Sequence, residues 1–441
     1  MPDILETAAR VQAAPHASWR SVAGGAVLVA GCAATGWWLT RHGVRLHLGS
    51  AYPIVGHYRL HLTPWLVLPV AFAAATVLYG RRMAETLPWR QLAVLSFLGA
   101  AAWAVSLALV EGPAALAAPL TAPSEYPHDV GRVADLDTYV RTFRWYIVDT
   151  GHGPQWTTHV GGHPPLVTLL FVLLARAGLA QVGWAAALCV LAGASAAPSV
   201  LSTVRLLAGE RRARAAAPFV TAAPVALWVA TSADALFAGV AAAGVCALAH
   251  AARRRSDGLA LTGGLALGAC LFLSYGLVLL APLAVAAVLG PRRLRPLMVA
   301  GAGVLAVVVA FAAAGFWWLD GLQLAAQRVV QGPAHHDRPW AYFVFANPAA
   351  LAVAVGPAVL AALPALRRDR ALALLPGAAL LAVVVAVASD LSKGEVERIY
   401  LPWAVWLLPL TAALPPPSRR GWLAAQLGWA LLLAATTTLS W

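Results

Sequence analysis

The stretch Gln91–Val110, QLAVLSFLGAAAWAVSLALV, is 20 residues long and contains no charged residue. A helix of that length spans the hydrocarbon core of a bilayer, so the stretch predicts a transmembrane α-helix. A long polar segment follows it directly, beginning at Glu111. The two together predict a membrane helix that ends in a large loop outside the bilayer.

The composition of the whole chain agrees with a membrane protein. Of its 441 residues, 61% are hydrophobic and only 11% are charged, and the mean hydropathy is +0.73. An ordinary soluble domain is about 45–50% apolar and about 25% charged. These values exclude a soluble enzyme, a disordered chain and a fibrous protein. No disulfide framework or zinc knuckle is expected, because the four cysteines lie in apolar runs without paired spacing: Cys32, Cys189, Cys246 and Cys270.

Further apolar runs of roughly membrane length lie on both sides of Gln91–Val110. They predict an all-α fold, a polytopic transmembrane helical bundle of about 13 helices. Some runs are short, so tilted or partial spans are expected. The region 164–207 is expected to cross once in net, with 164–179 either a partial span or lying along the membrane. The other runs are 21–39, 63–80, 215–231, 234–251, 258–273, 275–290, 297–315, 347–364, 371–389, 399–414 and 422–440.

The basic residues predict the orientation of the chain. The net charge is +13, and all basic residues except Lys393 are arginines. The positive-inside rule places the arginine clusters in the cytoplasm together with a segment 1–20. A hairpin at 21–90 then precedes a core at 91–441. This distribution indicates a bilayer rather than nucleic acid as the partner. The clusters are Arg81/Arg82/Arg90, Arg211/Arg212/Arg214, Arg253/Arg254/Arg255, Arg292/Arg293/Arg295, Arg367/Arg368/Arg370 and Arg419/Arg420.

Ionisable residues concentrate in outer loops at 111–163, 316–346 and 389–400. The first loop contains an amphipathic segment, Asp137–Asp149, which predicts a helix lying on the membrane surface. The spacing of its apolar stripe favours packing over a ligand site. The second loop is either an aromatic interfacial belt or a lid over a site.

Two further features carry charge at the membrane boundary. The segment 389–400, SDLSKGEVERIY, is short and joins two apolar runs, so its charges are expected near the headgroups, where they could clamp a phosphate. Asp234 falls at a break between two apolar runs. It is either part of a helix N-cap, with Ser232, or a buried functional acid.

The order of these features resembles the GT-C superfamily of integral-membrane glycosyltransferases. The resemblance is to the branch that contains protein O-mannosyltransferases and lipid A aminoarabinose transferases, and it covers roughly 91–400. That branch places Pro-Pro-Leu at the end of the first outer loop, as in His163–Leu166, and an Asp after the next helices, as in Ser232–Asp234. The segment Lys393–Arg398 is similar to actinobacterial membrane proteins of this type. The family acid usually follows the first core helix more closely than the acids do here.

The resemblance implies a reaction on the extracytoplasmic face of the plasma membrane. A sugar would move from a polyprenyl-phosphate donor to a hydroxyl of a lipid, glycan or protein acceptor. A carboxylate base would take the acceptor proton, and cationic side chains would hold the phosphate. Base candidates are Glu125 and Asp129, with Asp135 in reserve. The phosphate-binding candidates are Arg132, His163, Lys393 and Arg398, and the supporting candidates are Asp234, His159, Glu395 and Glu397.

Other functions and cofactors stay open at this stage. A multi-span transporter or lipid flippase without catalysis fits the number of spans, but the sequence has no internal repeat and its charges gather in loops. Zinc is not expected, because Gly161 and Gly162 separate His159 from His163 and no His-Glu-x-x-His motif is present. No cofactor is assigned, although some GT-C enzymes use a divalent cation.

Overall fold

The structure is an α-helical bundle, which confirms the predicted fold class. The computed structural model describes residues 17–289 and 293–439, and 76% of it is helical. A short antiparallel pair joins β1, Gly56–Tyr58, to β2, Thr437–Leu439, near the end of the chain. Seven of the described helices are long and apolar enough to cross a membrane, or up to eight if one bent pair counts as a span.

The seven candidate spans in the described residues include five before residue 255 and two after it. They are α1 Trp19–Arg41, α2 Val67–Thr86 with a 3₁₀ turn at Pro64–Leu66, α3 Trp89–Ala108 extended by a 3₁₀ turn at Leu109–Glu111, α8 Val182–Ala194 with α9 Ala196–Ala208, α11 Ala233–Arg254, α14 Arg295–Ala313 and α20 Arg370–Ala388. The bent pair joins α17 Trp340–Val355 to α18 Pro357–Ala362 and α19 Ala365–Arg368 at 101°.

Shorter helices fill the loops and the spaces between the spans. They are α4 Pro127–Val130, α5 Leu136–Thr142, α6 Thr158–Gly162, α7 Leu166–Arg176, α10 Glu210–Thr221, α12 Asp257–Leu273, α13 Ala281–Leu289, α15 Trp318–Gln331, α16 Pro333–Asp337, α21 Val396–Ile399, α22 Leu401–Ala404 and α23 Arg419–Thr436. The 3₁₀ turns are Pro113–Leu116, Ala118–Thr121, Phe143–Tyr146, Pro224–Trp228, Tyr275–Leu280 and Leu408–Ala413.

The expected count of about 13 spans is not confirmed, because several apolar runs do not form one continuous helix. The run 215–231 divides into the end of α10 and a 3₁₀ turn that starts at Pro224. The run 399–414 divides into α22 and a 3₁₀ turn at Leu408–Ala413. Proline lacks an amide hydrogen and its ring clashes with the preceding turn, so an apolar run rich in proline breaks.

Arg292 lies outside the described residues, and the other members of the arginine clusters gather at one end of the bundle, which we call the arginine end. It is the end where the α2–α3, α9–α10, α11–α12 and α19–α20 connections meet. Arg214 donates to the carbonyl oxygens of Ala84 and Leu87. Arg212 pairs with Asp369 at 2.6 Å. These contacts tie the start of α10 to the α2–α3 and α19–α20 connections through arginine side chains.

The polar loops gather at the opposite end, which we call the loop end. It consists of the segments 42–62, 111–163, 316–346 and 389–400. Arg338 donates to the carbonyl oxygen of Leu46 at 3.0 Å, and Arg328 donates to that of Trp156 at 2.7 Å. The segments thus form one layer that covers the helix ends.

The amphipathic segment in the first loop packs its apolar side chains against protein, as their spacing predicted, and its position at a membrane surface stays a prediction. It forms the short helix α5 followed by a 3₁₀ turn. Tyr139 and Phe143 are buried, and both rings contact Trp156. Phe143 also meets Phe316 of the second loop, at 5.6 Å between ring centroids. The apolar stripe is the core of the loop layer.

The bend between α17 and α18 is sealed inside the protein. Gly356 adopts a φ of +81° there, a conformation that favours glycine. The side chain of Gln426 on α23 donates to the carbonyl oxygen of Val355 at 2.6 Å and accepts from the amide of Ala358 at 2.9 Å. Gln426 is fully buried, so it satisfies backbone groups that water cannot reach.

Gln426→Leu is therefore expected to destabilise the protein by on the order of 3 kcal/mol, because it leaves two buried backbone groups without partners. The measurement is the thermal unfolding midpoint of the detergent-purified protein. Gln331→Leu is the matched control, since Gln331 is exposed on α15. Equal midpoints for the two variants would show that Gln426 does not support the bend.

Candidate functional site

The loop end contains a buried cluster of charged residues around Arg398, on the one-turn helix α21. The Arg398 side chain is 7% exposed. Its Nη1 donates to Asp234 Oδ2 at 2.7 Å, and its Nη2 donates to Glu395 Oε2 at 2.5 Å and to His159 Nε2 at 2.9 Å. One guanidinium therefore connects the first outer loop, the start of α11 and the 389–400 segment.

The backbone before α21 turns sharply to bring Glu395 and Arg398 to the same point. Gly394 has a φ of +79° and Glu395 a φ of +59°. Asn347 of α17 holds this turn, donating to the carbonyl oxygen of Ser392 at 2.7 Å and accepting from the Gly394 amide at 3.3 Å. The cluster thus depends on a side chain from a membrane helix below it.

Glu125 joins the cluster through His159. Oε1 of Glu125 lies 2.9 Å from Nδ1 of His159, an ion-pair distance at which the atoms are not aligned as a linear hydrogen bond. Burial alone would raise the pKa of the Glu125 carboxyl. The contact with His159 and the charge of Arg398 outweigh burial and hold that pKa below its ordinary value. Glu125 is therefore a buried carboxylate that stays ionised.

His163 lies beside this pair in an apolar setting. Its Nδ1 hydrogen bonds to the carbonyl oxygen of His159 at 2.9 Å, and its ring packs against Tyr126 and Phe237. Burial lowers the pKa of His163 to about 4, so the ring is neutral near pH 7. With Nδ1 as the donor to a carbonyl, Nε2 carries a lone pair and cannot donate to a phosphate.

Lys393 and Arg338 form an outer cationic layer of the same site. Nζ of Lys393 lies 3.2 Å from Asp390 Oδ2 and donates to the carbonyl oxygen of His335. Arg338 donates to the carbonyl oxygens of Lys393 and His47, and its Nη2 lies 3.8 Å from Glu395. The Lys393 side chain is only 8% exposed, so its ion pair with Asp390 holds it in place.

Glu397 lies on the same short helix but has a different environment. Its Oε1 accepts from the amide of Val55 at 2.8 Å, whereas Oε2 has no hydrogen-bond partner within 17–289 and 293–439. Burial raises the pKa of Glu397 to about 7, although the Val55 amide opposes that shift. The contact joins the 42–62 loop to the cluster.

Asp129, Arg132 and Asp135 serve the loop rather than the cluster. Asp129 uses one oxygen for Arg132 at 2.7 Å and the other for the Thr157 amide at 2.7 Å. Arg132 also donates to two backbone carbonyls and lies over the Trp156 ring, 4.2 Å from its centroid. Asp135 is exposed and caps α5 by accepting from the Thr138 amide. The contacts of all three are structural.

The fixed charges of the site favour a cation or a neutral hydroxyl over a bare anion. Arg398, Arg338 and Lys393 face four carboxylates: Asp234, Glu395, Glu125 and Asp390. The carboxylates at the centre of the cluster would repel an anion there.

The donor set does not fit a divalent metal ion. Asp234 and Glu395 both direct an oxygen to Arg398, which already supplies the compensating charge. Within the described parts of the chain, no group of three or more His, Cys, Asp or Glu side chains is placed to hold a metal.

Two parts of the site gave no usable signal in the sequence. The 42–62 loop has no motif, yet it meets both Arg338 and Glu397 through backbone atoms of Leu46 and Val55. In the sequence, Arg338 is one of several charged residues of the second loop, and nothing distinguishes it from a solvated surface charge. Asn347 did offer a signal, because it is the only asparagine of the chain.

Comparison of the chain with protein-family models, with curated proteins and with solved structures finds no match. The function must therefore be argued from the geometry of the cluster itself.

Glu397→Gln is expected to stabilise the protein at alkaline pH. Because the pKa of Glu397 is about 7 against an ordinary 4.5, the folded protein keeps this proton between those values. Stability then falls by on the order of 3 kcal/mol as pH rises from about 4.5 to about 7, and it levels off above pH 7, where the folded protein has also lost the proton. Glutamine retains the contact with Val55 and carries no charge.

The measurement is the thermal unfolding midpoint of wild type and variant at mildly acidic and at alkaline pH. The variant should exceed wild type at alkaline pH, and the gap should close on the acid side. Glu85→Gln is the control, since Glu85 is exposed. A gap that is the same at both pH values would contradict a raised pKa.

Proposed function

We propose that this chain is a membrane-embedded glycosyltransferase that moves a sugar from a polyprenyl-phosphate donor to an acceptor hydroxyl at the loop end. The observation that supports it most is the buried Glu125–His159–Arg398–Asp234 cluster, assembled from three separate segments. Buried charges at a membrane boundary are expensive and are typically functional. The three segments that form the cluster are also the segments whose order along the chain resembles GT-C enzymes.

Glu125 is the proposed base. The acceptor oxygen forms a bond to the anomeric carbon of the sugar while its proton passes to the Glu125 carboxylate. The bond from that carbon to the phosphate oxygen breaks, and the lipid phosphate leaves with the electron pair. His159 and Arg398 position this carboxylate and keep it ionised. Asp129 and Asp135 leave the proposal, because their oxygens bind the loop backbone and Arg132.

Lys393 is the proposed donor to the phosphate. Arg338 positions the Lys393 backbone, because its nitrogens donate to the carbonyl oxygens of Leu46, Lys393 and His47. Lys393 lies at the edge of the cluster, where a leaving phosphate gains stabilisation without displacing the Asp234–Arg398 pair. His163 contributes packing to this site rather than a hydrogen bond to phosphate. Arg132 is no longer a phosphate-binding candidate, because it donates to backbone carbonyls of the loop.

The loop end is proposed to face away from the cytoplasm. The arginine end at the other side of the bundle meets the positive-inside rule for a cytoplasmic face. A lipid-linked donor would then lie with its tail along the exposed apolar helix surfaces and its phosphate at the loop end. The sugar and the acceptor are not assigned.

A transporter or flippase is the second candidate, favoured by the 101° bend between α17 and α18. In transporters, broken helices leave backbone groups free to bind a substrate near the midplane. Here Gln426 occupies those groups, binding Val355 and Ala358. The bend thus supports packing, and the charged cluster lies elsewhere, at the loop end.

Glu125→Gln is expected to lower sugar transfer by about 10²–10⁴-fold, because it removes the base but keeps the size of the side chain. The assay measures release of polyprenyl phosphate from polyprenyl-phosphate sugars in proteoliposomes supplied with a cell-envelope extract. Asp135→Asn is the matched control and should retain wild-type transfer, since Asp135 is an exposed helix cap.

Full transfer by the Glu125 variant would remove it as the base. Loss of transfer in both variants, with both proteins folded, would place the chemistry outside the cluster. Polyprenyl-phosphate movement across the membrane without sugar transfer would favour the flippase.

A further inference from the structure

A cavity of about 540 Å³ lies at the arginine end, separate from the Arg398 cluster. It opens where α3 begins and where α9 and α11 end. The residues of its wall that matter here are Trp89, Arg205, Gly209, His250, Arg253 and Arg254. Neither the loop end nor the sugar-transfer proposal depends on this cavity.

The wall of the cavity is cationic. It includes three arginines, and none of its described residues is Asp or Glu. Arg205 pairs with Glu210 at 2.7 Å and lies over the Trp89 ring, 4.5 Å from its centroid. Arg253 gives one N–H to the carbonyl oxygen of Leu206. A guanidinium has five donors, so Arg253 retains most of its N–H groups for a ligand.

The fixed helix dipoles do not decide the sign of the potential in this cavity. α3 and α10 begin beside it, whereas α9 and α11 end beside it, so positive and negative helix ends offset one another. The arginine charges therefore set a positive potential. Guanidinium groups bind phosphate oxygens in a bidentate manner, which makes a phosphate group the anion of best fit.

We propose that this cavity binds the phosphate headgroup of an anionic membrane lipid. An apolar groove of about 240 Å³ supports a lipid over a free phosphate. The groove lies between α2, α3 and α10, and Leu92 of its wall is one helical turn from Trp89 on the same side of α3. Tryptophan typically lies at the level of lipid headgroups. A headgroup in the cavity would place an acyl chain beside this groove.

The test compares two double variants that remove equal charge from the same end. Arg253→Gln with Arg254→Gln removes two exposed arginines of the cavity wall. Arg211→Gln with Arg255→Gln removes two exposed arginines outside it. Native mass spectrometry measures how much dioleoyl phosphatidylglycerol each detergent-purified protein retains, with dioleoylglycerol as the lipid without phosphate. Circular dichroism checks that both variants are folded.

The cavity variant should bind phosphatidylglycerol about tenfold more weakly than the control variant, and wild type should not retain dioleoylglycerol. Equal losses in the two variants would overturn the proposal, because general surface attraction would then explain the binding. Equal retention of dioleoylglycerol would also overturn it. Equilibrium dialysis measures the binding of glycerol phosphate, a soluble phosphate without acyl chains. Binding of this soluble ligand as tight as that of the lipid would overturn the lipid assignment.

Discussion

The buried ion pair between Arg398 and Asp234 is the interaction on which the loop end depends. Both side chains are almost fully buried, and their atoms are 2.7 Å apart. A buried charge that loses its partner costs about 3–5 kcal/mol, so neither residue can be removed alone without a large penalty. Because Asp234 starts α11 and Arg398 lies on α21, the pair fixes the 389–400 segment over a membrane helix.

The remaining contacts of the site extend from this pair. His159 and Glu395 meet the same guanidinium, and His159 brings Glu125 with it. Asn347 sets the turn before Glu395 from below. The result is a buried carboxylate held at a fixed position, with Lys393 at the edge of the cluster. That arrangement suits removal of a proton from a hydroxyl beside a leaving phosphate.

The sequence predicted the fold class and much of the cluster for physical reasons. An uncharged 20-residue stretch such as Gln91–Val110 has few alternatives to a membrane helix. Acids and cations at helix ends, such as Asp234 and Arg398, are recognisable because the membrane makes them expensive. The span count was less predictable, since hydropathy does not register the prolines and bends that divide a run.

The choice among acids could not be made from sequence, because it depends on contacts across the fold. Asp129 and Glu125 are four residues apart, yet one binds the Thr157 amide and the other faces His159. Asp135 was the exception, since an Asp before a short helical segment is a common N-cap. Arg338 and the 42–62 loop escaped notice because they contribute mainly through backbone contacts that have no sequence pattern.

The proposed sugar transfer requires a lipid phosphate beside Lys393, at the edge of the Arg398 cluster. The most direct test is native mass spectrometry of the detergent-purified protein with polyprenyl phosphate, comparing wild type with Lys393→Ala. Wild type should retain one polyprenyl phosphate, and the variant should lose it while remaining folded. A wild-type protein that retains no polyprenyl phosphate even when the lipid is in excess would contradict the account.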